Sequence, residues 1–279
     1  MIWSNLFGQS MPHLKMITVQ SVPRSGSSWL GQIFKSSPAV AFRFQPLFSY
    51  AFKSRLSPES SREKCLAFFE DILHTPDPFV LQQDPNIHVD YPAFSESKEP
   101  THLVMKEVRY NHILPNLMEV MPEIKVVGLV RHPCAVIDSW IHAPREFKPE
   151  WNVQEQWRSG ALKNQGRPEE FFGFDKWKEV ALLFMDLEQR YPDRMQVVRY
   201  ADLNEDPLDV VPEIFRFCGL EFGLATEAFI RSSRSTDGGD ANSVYRKARP
   251  DDAWTKRLDP AISSTILSEL SNGPLARFL

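Results

Sequence analysis

The chain has 279 residues, 32 of them basic and 36 acidic, for a formal net charge of −4, and 42% are hydrophobic. That length suits one large α/β domain, expected here as a single domain over 1–279 with insertions near 75–100 and 143–170. The small negative charge gives no support for a general nucleic-acid or membrane binder, and three scattered cysteines, Cys65, Cys134 and Cys218, are too few for a disulfide framework or a zinc site.

In chain order, the β-branched run Met16-Ile17-Thr18-Val19-Gln20 predicts a strand over 16–22. Trp29, Leu30, Ile33 and Phe34 then recur at helical spacing and predict a helix over 28–36. Further strands are expected at 39–44, 101–107, 124–130 and 195–199. Further helices are expected at 45–56, 60–74, 111–121, 133–142, 174–191, 205–217, 224–231 and 260–270. Such alternation predicts a parallel central sheet flanked by helices. Residues 75–100 and 143–170 read as long irregular segments, and 232–252 as a mobile one. No apolar run is long enough to span a bilayer, no signal-peptide core and no Asn-x-Ser/Thr sequon is present, and a cytoplasmic protein is expected.

Two segments carry chemistry. Between the first strand and first helix lies Ser21-Val22-Pro23-Arg24-Ser25-Gly26-Ser27-Ser28. A strand, a tight polar turn and a helix start aim backbone N–H groups at one spot, where the helix dipole favours an anion. Gly26 allows close backbone approach, Ser25, Ser27 and Ser28 offer caps and hydroxyls, and Arg24 adds a permanent charge. A Walker loop needs Gly-Lys-Ser/Thr at its end, which is missing, so ATP or GTP chemistry is disfavoured. The second segment is the buried run Ile124–Val130, closed by Arg131-His132-Pro133. Pro133 suits the first turn of a helix, and Ser139 lies about two turns along it. Arg131 and Ser139 can share a second phosphate. Two phosphate sites at adjacent strand ends describe a nucleotide with phosphates on both sides of its ribose.

Arg24-Ser25-Gly26-Ser27-Ser28-Trp29 resembles the 5′-phosphosulfate loop of sulfotransferases that use 3′-phosphoadenosine 5′-phosphosulfate (PAPS). Arg131 with Ser139, eight positions on, is similar to that family's 3′-phosphate pair. Tyr200-Ala201-Asp202-Leu203 resembles the element beside the adenine. Phe42-Arg43-Phe44-Gln45-Pro46-Leu47 resembles the Phe-Glu-Pro-Leu segment of the carbohydrate branch. The resemblance implies a phosphate-loop-like sulfotransferase fold and sulfuryl transfer from PAPS to an acceptor hydroxyl, with a carbohydrate as one possible acceptor and no metal. It implies that Arg24 and Lys106 stabilise charge, that Trp29 and Tyr200 contact adenine, and that Arg246 and Lys247 belong to a basic loop over the 3′-phosphate. Glutamine at position 45, where that branch has Glu, cannot take a proton, so the general base is left unassigned. Arg43 beside it hints at an acidic acceptor. Glu107 alternates to the other face of its strand, with a salt bridge as its bland role. Arg131 could instead pair with Asp138 or Glu107. His112, His132 and His142 fall nearest the site, where a lone His is more often structural. A nucleotide kinase-like enzyme and a non-catalytic nucleotide- or glycan-binding relative stay open as alternatives.

Overall fold

The computed structural model describes residues 14–86, 89, 91–238 and 243–279. Five strands, β1 (Lys15–Gln20), β2 (Val40–Phe44), β3 (His102–Glu107), β4 (Lys125–Val130) and β5 (Met195–Arg199), form one sheet in the order β2-β3-β1-β4-β5. Every pairing is parallel. The strands lack polar alternation because helices cover both faces, so successive side chains enter two different cores. Met16, Leu103, Met105 and Val126 point into one core; Ile17, Val19, Val104 and Val127 point into the other.

The helices in chain order are α1 (Ser27–Lys35), α2 (Arg62–Leu73), α3 (Leu114–Val120), α4 (Pro133–Ile141), α5 (Val153–Ser159) and α6 (Ala161–Asn164). They continue with α7 (Phe174–Arg190), α8 (Tyr200–Glu205), α9 (Pro207–Cys218), α10 (Leu224–Ser233), α11 (Trp254–Arg257) and α12 (Pro260–Leu270). The first core takes Phe68, Phe69 and Ile72 of α2, Trp140 of α4, Phe184 of α7 and Ile266 of α12. The second takes Leu30, Ile33 and Phe34 of α1, Phe215 of α9 and Phe229 of α10. Phe34 stacks on Phe215 with ring centroids 5.1 Å apart. Gly128 keeps β4 open to α7, since a Cβ there would lie 2.7 Å from the Phe184 ring.

The expected strands form within about two residues of their predicted bounds. The helix expected over 45–56 does not form. Gln45 is left-handed (φ 42), Pro46–Phe48 make one 3₁₀ turn, and turns follow. The Leu47 N–H donates to the Glu107 carboxylate at 2.7 Å instead of propagating a helix. Leu47, Phe52 and Leu56 still reach the first core, so apolar spacing there reflects burial rather than periodic structure. Segment 143–170 contains the short helices α5 and α6, and α8 precedes the helix expected at 205. Segment 232–252 holds turns and irregular backbone where it is described; residues 239–242 lie outside the described part.

The chain leaves β1 toward β2, on one side of the sheet, and leaves β4 toward β5, on the other. Adjacent strands whose connections diverge in this way open a crevice beyond their carboxyl ends, where ligands bind in parallel sheets.

Candidate active site

Both phosphate-type segments lie in that crevice. The turn after β1 has two left-handed residues, Arg24 (φ 71) and Gly26 (φ 86). A Cβ on Gly26 would sit 2.4 Å from the Tyr200 ring, so only glycine fits. Gly26 is also the residue that precedes α1, and no side chain caps that helix. The serines expected as caps are placed otherwise. Ser25 and Ser27 are buried, and the Ser25 hydroxyl has no partner. The first N–H groups of a helix have no intrahelical acceptor, so an uncapped start beside a buried hydroxyl offers converging donors. Asn111 braces the turn from behind, its Nδ2 donating to the Ser21 carbonyl at 3.2 Å.

Arg24 Nε donates to Ser139 Oγ at 3.1 Å, and Arg131 Nη1 donates to the Arg24 carbonyl at 2.8 Å. Residues 107 and 115 positions apart therefore form one continuous basic surface. α4 carries Ser139 there because His132 caps its start, accepting the Cys134 N–H at 3.2 Å, and Pro133 fills the first turn. Trp177 Nε1 holds the Arg131 carbonyl at 2.9 Å. The Arg131 guanidinium lies 5.1 Å from the centre of the Tyr200 ring. Its ion-pair partner is neither Asp138 nor Glu107, as weighed from sequence, but Asp251: Nε donates at 2.7 Å, and Nη2 donates to the other carboxylate oxygen. Asp138 instead takes Arg257.

Trp29 packs on the second core, and its Nε1 donates to Ser233 Oγ at 3.0 Å. Arg234 lies over its indole at 5.5 Å. Arg246 is near enough for Tyr200 and Arg131 to act on its charge, and its backbone N–H donates to the Ser233 carbonyl. Lys247 is exposed, its backbone N–H held by Asp237.

Beside the turn, β3 ends in Lys106 and Glu107, both buried. The Lys106 stem runs past Gly31 of α1, and its ammonium sits 4.9 Å from the centre of the Phe44 ring. Burial lowers its pKa to about 7, with Arg109 and Arg24 adding like-charge repulsion and Glu107 opposing. Glu107 accepts the Leu47 N–H with one oxygen and buries the other without a partner. Burial raises its pKa to about 8. Its bond is thus to a backbone amide, where a salt bridge was the bland expectation. Gln45 is buried nearby, its Oε1 without a partner and its N–H donated to the Lys106 carbonyl at 2.8 Å. Phe44, Phe48, Phe79 and Tyr91 form a cluster of tilted rings at this edge.

One expectation is corrected. Arg43 does not face an acceptor: it is buried, donates to the Phe42, Ile72 and Leu73 carbonyls, and pairs with Glu96 at 3.6 Å. None of the three nearby histidines is poised as a base. His112 stacks between Tyr110 and Phe171, and His142 closes the end of α4 on Asp138. Burial holds His132 down to about 4 while its ring stacks on Trp254. Sequence reasoning missed Asp251, Asn111 and the Glu107–Leu47 bond; each partner is distant in the chain and leaves no local signal.

Among the described residues, no helix is long and apolar enough to cross a membrane. The chain is 22% identical to carbohydrate sulfotransferase 1 of Danio rerio, over 87% of this chain and 72% of that protein. The structure of mouse sulfotransferase SULT7A1 complexed with PAP matches at a TM-score of 0.58 and 15% identity, covering 94% of this chain and 86% of that one. The sulfotransferase domain of the Synechococcus PCC 7002 olefin synthase matches at a TM-score of 0.52 and 20% identity, covering 94% and 98%. These likenesses show the fold. The family model described as the Sulfotransferase family matches residues 17–223, from β1 to just past α9, and the chain belongs to the sulfotransferase family.

Proposed function

We propose that this protein transfers a sulfuryl group from PAPS to an acceptor hydroxyl. The observation that carries this reading is the contact of Arg24 with Ser139 and of Arg131 with the Arg24 carbonyl. One basic surface spans both segments, as a single nucleotide with 5′ and 3′ phosphates requires. The partnerless Ser25 hydroxyl and the close approach of the Gly26 turn to the Tyr200 ring, which a Cβ would block, support the fit.

PAPS supplies the activated sulfuryl group. The turn N–H groups, Arg24 and the Ser25, Ser27 and Ser28 segment hold the phosphosulfate end, and they stabilise charge where it grows. Arg131 and Ser139 select the 3′-phosphate and hold the donor in register without doing chemistry. Tyr200 and Trp29 flank the base, and Arg246 and Lys247 belong to the surrounding basic segment. Lys106 serves the sulfuryl oxygens, and its burial makes that charge act in a low-dielectric setting. Gln45 orients the acceptor hydroxyl without accepting its proton.

A carbohydrate acceptor is supported by the 22% identical relative and by the aromatic edge of Phe44, Phe48, Phe79 and Tyr91, whose rings suit the apolar face of a sugar. A cytoplasmic setting is part of this reading and is checked by cell fractionation. Gln45 favours one second reading, a non-catalytic relative that binds the nucleotide as an interaction module.

Thermal-shift titration tests the donor: 3′,5′-ADP should stabilise the protein and ATP should not. Arg131→Ala should weaken 3′,5′-ADP binding at least tenfold in calorimetry while slowing the bound complex far less. Turnover of labelled PAPS with a panel of sugar hydroxyls then separates enzyme from module, and no transfer to any acceptor would favour the module.

A further inference from the structure

The Arg131–Asp251 pair bears on how the donor enters. Arg131 commits its Nε and Nη2 edge to the Asp251 carboxylate and its Nη1 to the Arg24 carbonyl. Both pair members are largely buried, at 15% and 20% side-chain exposure. A guanidinium edge that grips one carboxylate side-on cannot grip a phosphate in the same way. The chain around Asp251 is fastened to α4 at two further points. Trp254 stacks on His132, ring centroids 4.7 Å apart and 16° from parallel, and Arg257 pairs with the buried Asp138. Asp251 thus sits at the head of a segment, residues 251–257, that lies along the helix carrying Ser139.

We propose that Asp251 is an intramolecular stand-in for the 3′-phosphate, a latch that a bisphosphorylated nucleotide must displace and that a nucleotide without a 3′-phosphate leaves closed. A phosphate arriving at Arg131 and Ser139 meets a carboxylate of like charge on the same guanidinium, so the two anions compete and only one is held. Release of Asp251 frees the Nε and Nη2 donors for the phosphate and loosens the hold of residues 251–257 on α4. Entry of the donor is thereby coupled to movement of this segment, and Asp251 sets how strongly the site demands the 3′-phosphate. This inference rests on the PAPS reading of the site.

Calorimetry with 3′,5′-ADP and with adenosine 5′-monophosphate tests it on wild type and Asp251→Asn. The variant should bind 3′,5′-ADP about tenfold more tightly and the monophosphate within about twofold of wild type. Equal or weaker 3′,5′-ADP binding by the variant overturns the latch. Hydrogen exchange on the wild-type protein reads the same event without a substitution. Peptides over residues 251–257 should exchange faster on saturation with 3′,5′-ADP and stay unchanged with the monophosphate, and no difference between the nucleotides overturns the latch. If neither protein binds 3′,5′-ADP, the donor reading fails and the latch with it. If both bind equally well, only the latch fails.

Discussion

Lys106 and Glu107 are neighbours in the chain and are buried on opposite faces of β3, and their protons answer to pH in opposite ways. Burial brings Lys106 down to about 7. An unfolded chain holds that proton to about 10.4, so this group's contribution to stability rises with pH between those values. Burial brings Glu107 up to about 8, against about 4.3 unfolded, so its contribution falls as pH rises through that window. Glu107→Gln keeps an acceptor for the Leu47 N–H and removes the titration. Its stability relative to wild type should improve by roughly 2–4 kcal/mol between about pH 5 and pH 8, as read by urea unfolding. In turnover, Lys106→Met should lower kcat by about 10²–10³ with little change in 3′,5′-ADP affinity, if the ammonium acts on the transferring group. Gly26→Ala combines a left-handed backbone with a Tyr200 contact at 2.4 Å. It should cost roughly 1–3 kcal/mol of stability and weaken 3′,5′-ADP binding at least tenfold, checked by unfolding and calorimetry on the same protein.

At the scale of elements, α1 and α4 approach the crevice from opposite faces of the sheet, one starting without a cap and the other capped by His132. The uncapped start is the one to which the proposed function assigns the anion. α2 shows a different economy. Its last carbonyls, from Ile72 and Leu73, are met by the buried Arg43 guanidinium reaching across from β2. Arg43→Met should therefore destabilise the fold by about 2–4 kcal/mol, because buried carbonyls lose their donor. It should leave the affinity for 3′,5′-ADP unchanged in calorimetry, and a large loss of affinity would show that Arg43 supports the donor site as well as α2. Strands and long helices were readable from sequence because their apolar residues follow the period of the element and face one core or the other. Residues 45–56 misled because Leu47, Phe52 and Leu56 are buried through turns, with Gln45 left-handed and a carboxylate taking the Leu47 amide. The short helices α5, α6 and α11 carry too few apolar residues to register.

For the whole molecule, the two cores share one sheet, so each strand contributes to both. Heating should give a single cooperative transition in calorimetry, and 3′,5′-ADP at about 100 times its dissociation constant should add about 2.7 kcal/mol to stability, a rise of several degrees. The alternation of strands and helices, the polar turn at Arg24–Ser28 and the Arg131/Ser139 spacing are local patterns, and they were enough to expect a parallel α/β fold with candidate anion sites at its strand ends. Pairings between distant residues are another matter. Arg131 meets Asp251 across 120 positions, Arg24 meets Ser139 across 115, and Glu107 meets the Leu47 amide across 60. Backbone periodicity carries no information about such partners, because they are chosen by how the connections after β1 and β4 diverge and return. Local order was enough to mark Arg24–Ser28 and Arg131 with Ser139 as candidate anion sites; that these two segments touch, and that Asp251 pairs with Arg131, follows from the fold, because contacts across more than a hundred positions depend on how the connections return.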